Sequence, residues 1–222
     1  RLRFIRDVVD THFDGDFDAR HPLKDKRVLD VGCGGGLVSE PLARMGGTVT
    51  AIDPSSENIG IARAHASETG VSVDYRAVTA ESLVEAGETF DLVTCLEVIE
   101  HVPSPDSFVG TLSKLIKPDG CLILSTLNRT MKSYALAIVG AEYVLGWLER
   151  GTHDWNRFLT PDELADFAGA VNLEVFERSG IVFNPLTGVW TTSGDMDVNY
   201  MLAARPSPHS AGLSSTIGSA GE

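Results

Sequence analysis

Apolar residues along this chain follow two rhythms that alternate. Short apolar runs have the length of buried strands: Val28-Leu29 within Arg27–Val31, Val49 to Ile52 before Asp53, Phe90 to Cys95, and Cys121 to Leu124 ahead of Ser125. Val71 to Val78 alternates apolar and polar and predicts one more strand. Between these runs the apolar positions recur at helical spacing. Leu2, Ile5, Val8 and Val9 lead to His12. Leu37, Val38, Leu42 and Ala43 lead to Met45, Ile59, Ile61 and Ala64 point toward Glu68, and Phe108, Leu112 and Leu115 share a face within Pro105–Ile116. Lys117-Pro118-Asp119-Gly120 reads as a turn before the fifth strand. Strands that alternate with helices predict an α/β, Rossmann-like doubly wound sheet, mostly parallel.

Residues 128–158 interrupt that rhythm. Tyr134 to Leu148 carries one charge, Glu142, and is apolar on every face. Thr160-Pro161-Asp162-Glu163 then starts a helix, with Thr as N-cap, Pro in the first helical position and acids in the first turn. Two late strands are predicted near Leu173–Arg178 and Val198–Ala204, which makes seven strands, the last antiparallel. The expectation is one domain over 1–205, an apolar helical insert after strand five, and a Ser-, Gly- and Ala-rich disordered tail over 206–222.

Composition narrows the partners. Apolar content is 43% and the net charge is −13. No cluster of Lys and Arg is evident, so a nucleic-acid partner is not expected. The three cysteines, Cys33, Cys95 and Cys121, lie far apart in apolar or glycine contexts and read as reduced and packed, without metal-type spacing. No run of about 20 apolar residues is present to span a bilayer.

Candidate chemistry sits at strand ends. Asp30-Val31-Gly32-Cys33-Gly34-Gly35-Gly36 follows strand one. Glycines let the backbone turn sharply and let a ligand approach closely, and the helix start that follows offers unpaired N–H groups. A nicotinamide fingerprint needs its third glycine at position 37, which is Leu37, and no Lys-Ser or Lys-Thr pair follows to make a phosphate loop. Asp53 ends strand two, where a carboxylate can take both ribose hydroxyls. The plain alternative is a glycine turn with no ligand. Just past strand four, Glu97-Val98-Ile99-Glu100-His101 places two acids and an imidazole at i, i+3 and i+4, a set suited to Mg²⁺, Mn²⁺ or Zn²⁺ if the segment is helical. Its alternative is a polar rim with His101 packed on Pro103. Tyr134–Leu148, ~22 Å long as a helix, is too short to cross ~30 Å of hydrocarbon. It is either a buried core helix or a greasy lid for an apolar substrate or membrane surface, with Tyr143 and Trp147 as interface residues. His153, in Gly151-Thr152-His153-Asp154-Trp155, is a candidate general base or metal ligand, or a surface His capping a turn.

The glycine loop with Asp53, Phe90-Asp91 through Glu97, and Lys117-Pro118-Asp119-Gly120 together resemble class I S-adenosylmethionine-dependent methyltransferases. The resemblance implies that Asp30, Gly32 and Gly34 lie under the methionine part, that Asp53 holds the ribose, and that Thr79, Ala80 and Glu81 hold the adenine. Asp119 stands where glycine is more usual. A closer resemblance covers nearly all of residues 1–205. Asp30 to Leu37, Cys95 to Pro103, Ser125 to Arg129, Val139 to Tyr143, Gly151 to Asp154, Phe183-Asn184-Pro185 and Asp197 to Met201 are similar to blocks of the ubiquinone-biosynthesis O-methyltransferases. That resemblance implies O-methylation of a phenolic hydroxyl on polyprenylated catechol-type intermediates (demethylubiquinol and 2-polyprenyl-6-hydroxyphenol). It implies cofactor contacts at Arg1, Gly32, Asp53 and Leu96, and a divalent metal, Mg²⁺ first, on Glu97, Glu100 and His101. His153 or His101 would take the proton. It further implies a membrane surface met by 134–148, an assembly with other enzymes of that synthesis, and a place on the cytoplasmic face of a bacterial inner membrane or the matrix face of a mitochondrial one. Two other readings stay open at this point. A metal-dependent RNA 2′-O-methyltransferase uses a similar Glu-x-x-Glu-His set, and the chain could instead be a non-catalytic cofactor-binding scaffold.

Overall fold

The computed structural model describes residues 1–13, 20–133, 157–184 and 189–208. Eight strands form one sheet in the order β3-β2-β1-β4-β5-β8-β6-β7. The first half is parallel: β1 (Arg27–Val31) lies between β2 (Thr48–Ile52) and β4 (Phe90–Leu96), with β3 (Asp74–Arg76) outside β2 and β5 (Ile116–Leu127) beside β4. The second half is antiparallel: β8 (Asn199–Pro206) inserts between β5 and β6 (Leu173–Asn184), and β7 (Val189–Ser193) closes the edge.

Both faces are covered, so the central strands read as continuous apolar runs. α1 (Leu2–His12), α2 (Ser39–Arg44) and α3 (Ser56–Thr69) pack on one face through Phe4, Ile5, Leu42, Ile59 and Ala62. On the other face, α4 (Ala80–Glu85), α5 (Pro105–Lys114) and α7 (Pro161–Ala170) contribute Leu83, Leu112, Leu164 and Ala168. β8 shows the pleat directly, sending Tyr200, Leu202 and Ala204 into the second layer and Met201 and Ala203 into the first. α7 starts as its sequence predicts: Thr160 and Glu163 form a reciprocal capping box with Pro161 next in line. The end of α1 is fixed by His12, which bonds the Asp119 carbonyl at 3.1 Å and stacks on Phe176.

Several expectations needed correction. The sheet has eight strands rather than seven, because the exposed β7 adds a strand beyond β6. Strand three is Asp74–Arg76, shorter than Val71–Val78. The helix after the glycine loop begins only at Ser39, since the loop's own turns consume the preceding residues, and Leu37 is left 81% exposed. Lys117–Gly120 is a bulge inside β5: Phe90 pairs with Ile116 but Leu92 with Cys121. β8 runs to Pro206, and the Ser207 N–H donates to the Asn172 carbonyl, so ordered chain passes the boundary drawn at 205. The apolar stretch 134–148, His153 and residues 209–222 lie outside the described residues. Between the insert's ends, α6 is a single turn, Met131–Ser133. Among the described residues no helix is long and apolar enough to cross a membrane.

Candidate active site

The strand order reverses between β1 and β4, so a crevice opens at the carboxyl ends of these strands, where doubly wound sheets bind ligands. The glycine loop forms its floor. Gly32 has φ +71, and a Cβ there would lie 2.3 Å from Val98 Cγ2. Gly36 has φ +85, and a Cβ there would lie 2.3 Å from the Tyr75 hydroxyl. Neither position tolerates a side chain, in handedness or in space. Backbone N–H groups of Gly32 and Cys33 both donate to the Ile52 carbonyl, at 2.8 and 3.0 Å, which ties the loop to β2.

Asp53 fastens the same corner. One carboxylate oxygen accepts from the Gly34 N–H at 3.0 Å, and the other from the Ser55 N–H at 2.9 Å and from Asn58 Nδ2 at 3.2 Å. Asp30 lies beneath the loop, accepting from Ser39 Oγ at 2.6 Å and Thr94 Oγ1 at 2.8 Å. Burial pushes its carboxyl up to about 6, against the pull of those two hydroxyls. Burial also holds the Cys33 thiol up at about 12, and Cys95 and Cys121 are buried and unpaired, so none is poised as a nucleophile.

A cavity of about 440 Å³ opens beside the loop, lined by Gly32, Ile52, Ala80, Val98, Val102 and Phe108, with Thr79 and Glu81 among its few polar groups. An apolar slot with a few hydrogen-bonding groups suits a flat heterocycle. Of the residues singled out for a cofactor, Gly32 and Ala80 line this cavity, and Asp53 sits between two residues that do, Ile52 and Pro54. Gly34 is bound to Asp53, Asp30 is turned into the core, and Leu96 ends β4 half-buried beside Ser125. Arg1 pairs with Glu97 at 3.2 Å.

Across the crevice, the chain leaving β4 turns abruptly. Glu97 has φ 58, a left-handed backbone that costs a non-glycine residue about 1–2 kcal/mol and marks a constrained site. A single 3₁₀ turn, Ile99–His101, follows instead of the α-helical turn that i, i+3, i+4 spacing presumed. Glu97 accepts from Ser125 Oγ at 2.7 Å and from Asn199 Nδ2 at 3.1 Å on each oxygen. Glu100 accepts from Thr126 Oγ1 at 2.9 Å. Burial, then the neighbouring Glu97 charge, raise the Glu100 carboxyl well above the usual range. Glu97 reaches solvent at 27% side-chain exposure while Glu100 is 3% exposed, so the pair points from the core toward the opening.

Two acids side by side and the buried, unpartnered Asn199 Oδ1 are hard oxygen donors, the kind a divalent cation takes. His101 does not join them. It is exposed, its carbonyl accepts from Arg157 Nη1 at 3.4 Å, and among the described residues no three His, Cys, Asp or Glu side chains converge as a metal site. Among the described residues the two acids are of the donor type a cation takes, and the exposed His101 is not gathered with them. Ser125, Thr126, Asn199 and Val98 escaped the sequence reading as site residues. Ser125 and Thr126 carried one signal, hydroxyls at the end of an otherwise apolar strand.

A family model described as a methyltransferase domain matches residues 4–178. A ubiquinone biosynthesis O-methyltransferase of Azorhizobium caulinodans is 54% identical over 95% of this chain and 83% of its own length, and one of Methylobacterium nodulans is 54% identical over 92% and 82%. The chain belongs to the ubiquinone biosynthesis O-methyltransferases. As a member it is an O-methyltransferase with S-adenosylmethionine as methyl donor. Among solved structures, magnesium protoporphyrin IX methyltransferase of Synechocystis PCC 6803 with bound SAM aligns at TM-score 0.60 and 21% identity, over 92% of this chain and 79% of that one; it shares the fold. Its SAH-bound form gives TM-score 0.62 at 21% identity, over 93% and 83%.

Proposed function

We propose that this O-methyltransferase methylates phenolic hydroxyls of polyprenylated catechol-type intermediates of ubiquinone assembly, demethylubiquinol and 2-polyprenyl-6-hydroxyphenol. The observation that carries the reading is the acid pair Glu97–Glu100 at the end of β4, directly across Val98 and Gly32 from the cofactor-sized cavity. Ala80 would hold the donor's adenine, Asp53 its ribose and Gly32 and Gly34 its methionine part. Leu96 would pack on the adenosine, and Asp30 shapes the loop from below.

In the transfer, the phenolic oxygen attacks the methyl carbon in line with the sulfonium. The O–C bond forms, the C–S bond breaks with its electron pair left on sulfur, and the phenolic proton goes to a base. In-line positioning supplies much of the rate. A phenol titrates near pH 10 in water, so its proton must be made easier to lose. A divalent cation, Mg²⁺ in preference to Zn²⁺ or Mn²⁺, would be held by Glu97 and Glu100 with His101 swung in, and it supplies Lewis acidity toward the catechol oxygens. Glu97 orients the ring hydroxyls in the crevice. His153, or His101 where it stays off the cation, takes the proton. Arg1 exchanges Glu97 for the donor's carboxylate.

The apolar stretch 134–148 shelters the prenyl tail and touches the membrane that stores it, which makes the enzyme peripheral, on the cytoplasmic face for a bacterial chain like its relatives. Assembly with other enzymes of the synthesis is part of this reading, supported by a prenylated substrate that keeps to the membrane. A methyl-transfer assay on a short-prenyl catechol, with and without chelator, tests the reading. It expects O-methyl product that chelator suppresses and Mg²⁺ restores. No product with any catechol would overturn the substrate assignment, and full activity in chelator would overturn the cation.

A further inference from the structure

Glu97 is held in a costly backbone conformation by groups from two strands, and one of them is unassigned. Its N–H donates to the Ser125 carbonyl at 3.0 Å, and its carboxylate accepts from Ser125 Oγ. Two further grips come from Arg1, which pairs with one oxygen at 3.2 Å, and from Asn199, whose Nδ2 donates to both carboxylate oxygens at 3.1 Å. Asn199 opens β8, paired antiparallel with Leu127, and is 5% exposed. Its Oδ1 is buried with no partner. An amide with an orphaned acceptor inside an apolar strand costs free energy unless the site uses it.

We propose that Asn199 is a positioning residue: it fixes the Glu97 carboxylate beside Glu100 so that both acids face the acceptor. The chemistry explains the residue type. Two adjacent carboxylates repel, and Glu97 swings away unless donors hold it. Lys or Arg at 199 would hold it and cancel the charge that draws a cation. Asp would add a third negative charge. A neutral amide holds the carboxylate and leaves its charge intact. Its spare oxygen is buried without a partner, a neutral acceptor left over once the amide N–H groups are committed to Glu97. Thr126 on the adjacent strand does the same for Glu100 through a hydroxyl, again without neutralising it. β8 thus adds an amide donor to the hydroxyl that β5 supplies through Ser125.

This inference rests on the reading of Glu97 and Glu100 as the acceptor centre, and its test separates the two. N199T and N199V have the same shape and differ by one hydroxyl donor, so their difference isolates the hydrogen bond. Mn²⁺ binding and S-adenosylhomocysteine binding are measured by calorimetry, and kcat and the KM for S-adenosylmethionine with a short-prenyl catechol. N199V is expected to bind Mn²⁺ about tenfold or more weakly and to lose kcat in proportion, N199T to lose distinctly less, with S-adenosylhomocysteine affinity and donor KM within about twofold in all. Equal Mn²⁺ affinity and equal kcat in N199T and N199V would overturn the inference, as would an equal loss of S-adenosylhomocysteine affinity. If the wild-type protein takes up no Mn²⁺, the cation assignment fails, and the kcat split at unchanged donor KM then decides the positioning role alone. If N199V does not fold, N199A, which removes the donor without adding a branched side chain, replaces it in the same comparison.

Discussion

The proposed donor and acceptor sides of the crevice, separated by the end of β4, are built by opposite means. On the donor side the backbone does the holding: Gly32, Cys33 and Gly34 anchor through N–H groups to the Ile52 carbonyl and Asp53, and left-handed glycines leave room for a ligand. On the acceptor side the side chains do it: Glu97 and Glu100 are gripped by Ser125, Thr126 and Asn199 around a strained non-glycine residue. A donor shared by a whole fold class can be held by local backbone geometry. An acceptor particular to one family needs side chains gathered from distant strands. This division means the two sides should fail separately when mutated.

The largest expected effect is on the acceptor side. E97Q keeps the shape and removes the charge, and methyl transfer to a prenyl catechol is expected to fall about 10²-fold or more in steady-state assays. G32A strikes the donor side. The left-handed backbone costs about 1–2 kcal/mol and the collision with Val98 about 1 kcal/mol more, read as loss of unfolding free energy in urea. Adding V98A is expected to return the packing part and leave the handedness part. If V98A returns everything, the strain at φ +71 is not the cause.

Asp30 gives a pH signature. Its folded carboxyl is raised to about 6, so the protonated form favours the fold. That contribution is fully present below the unfolded value near 4 and is lost as pH rises through 6. Relative to D30N, which never ionises, the wild-type protein should therefore lose about 2 kcal/mol of stability between pH 4.5 and pH 7.5 in urea titrations. A flat difference would show that Asp30 is not desolvated. The smallest effect lies away from both sides. T160A breaks the capping box of α7 and should cost about 1 kcal/mol of stability without changing kcat.

The donor side was legible in the sequence because its signals are local. Gly32 to Gly36 after a short apolar run and Asp53 at the end of the next each state their geometry within a few positions. The acceptor side was half legible. Glu97 and Glu100 stand out at the end of β4, but the helical spacing that seemed to gather His101 with them gave way to a left-handed residue and a 3₁₀ turn. Asn199 was legible only as part of a family-like block. Its role depends on β8 crossing back antiparallel beside β5, about 70 residues after Leu127, and no period in the chain encodes that register. β7 was missed because an exposed edge strand, Val189 to Ser193, has no buried face to impose alternation.

The separation of the two sides is tested most directly by one calorimetric measurement. S-adenosylhomocysteine is titrated into the wild-type protein and into the E97Q/E100Q double variant. The account predicts that the double variant binds S-adenosylhomocysteine no more than about twofold more weakly than the wild type, since loss of Glu97 only frees Arg1 for the ligand's carboxylate, while it is inactive toward the catechol. A tenfold or greater loss of S-adenosylhomocysteine affinity in the double variant would contradict it, because the acid pair would then belong to the donor site.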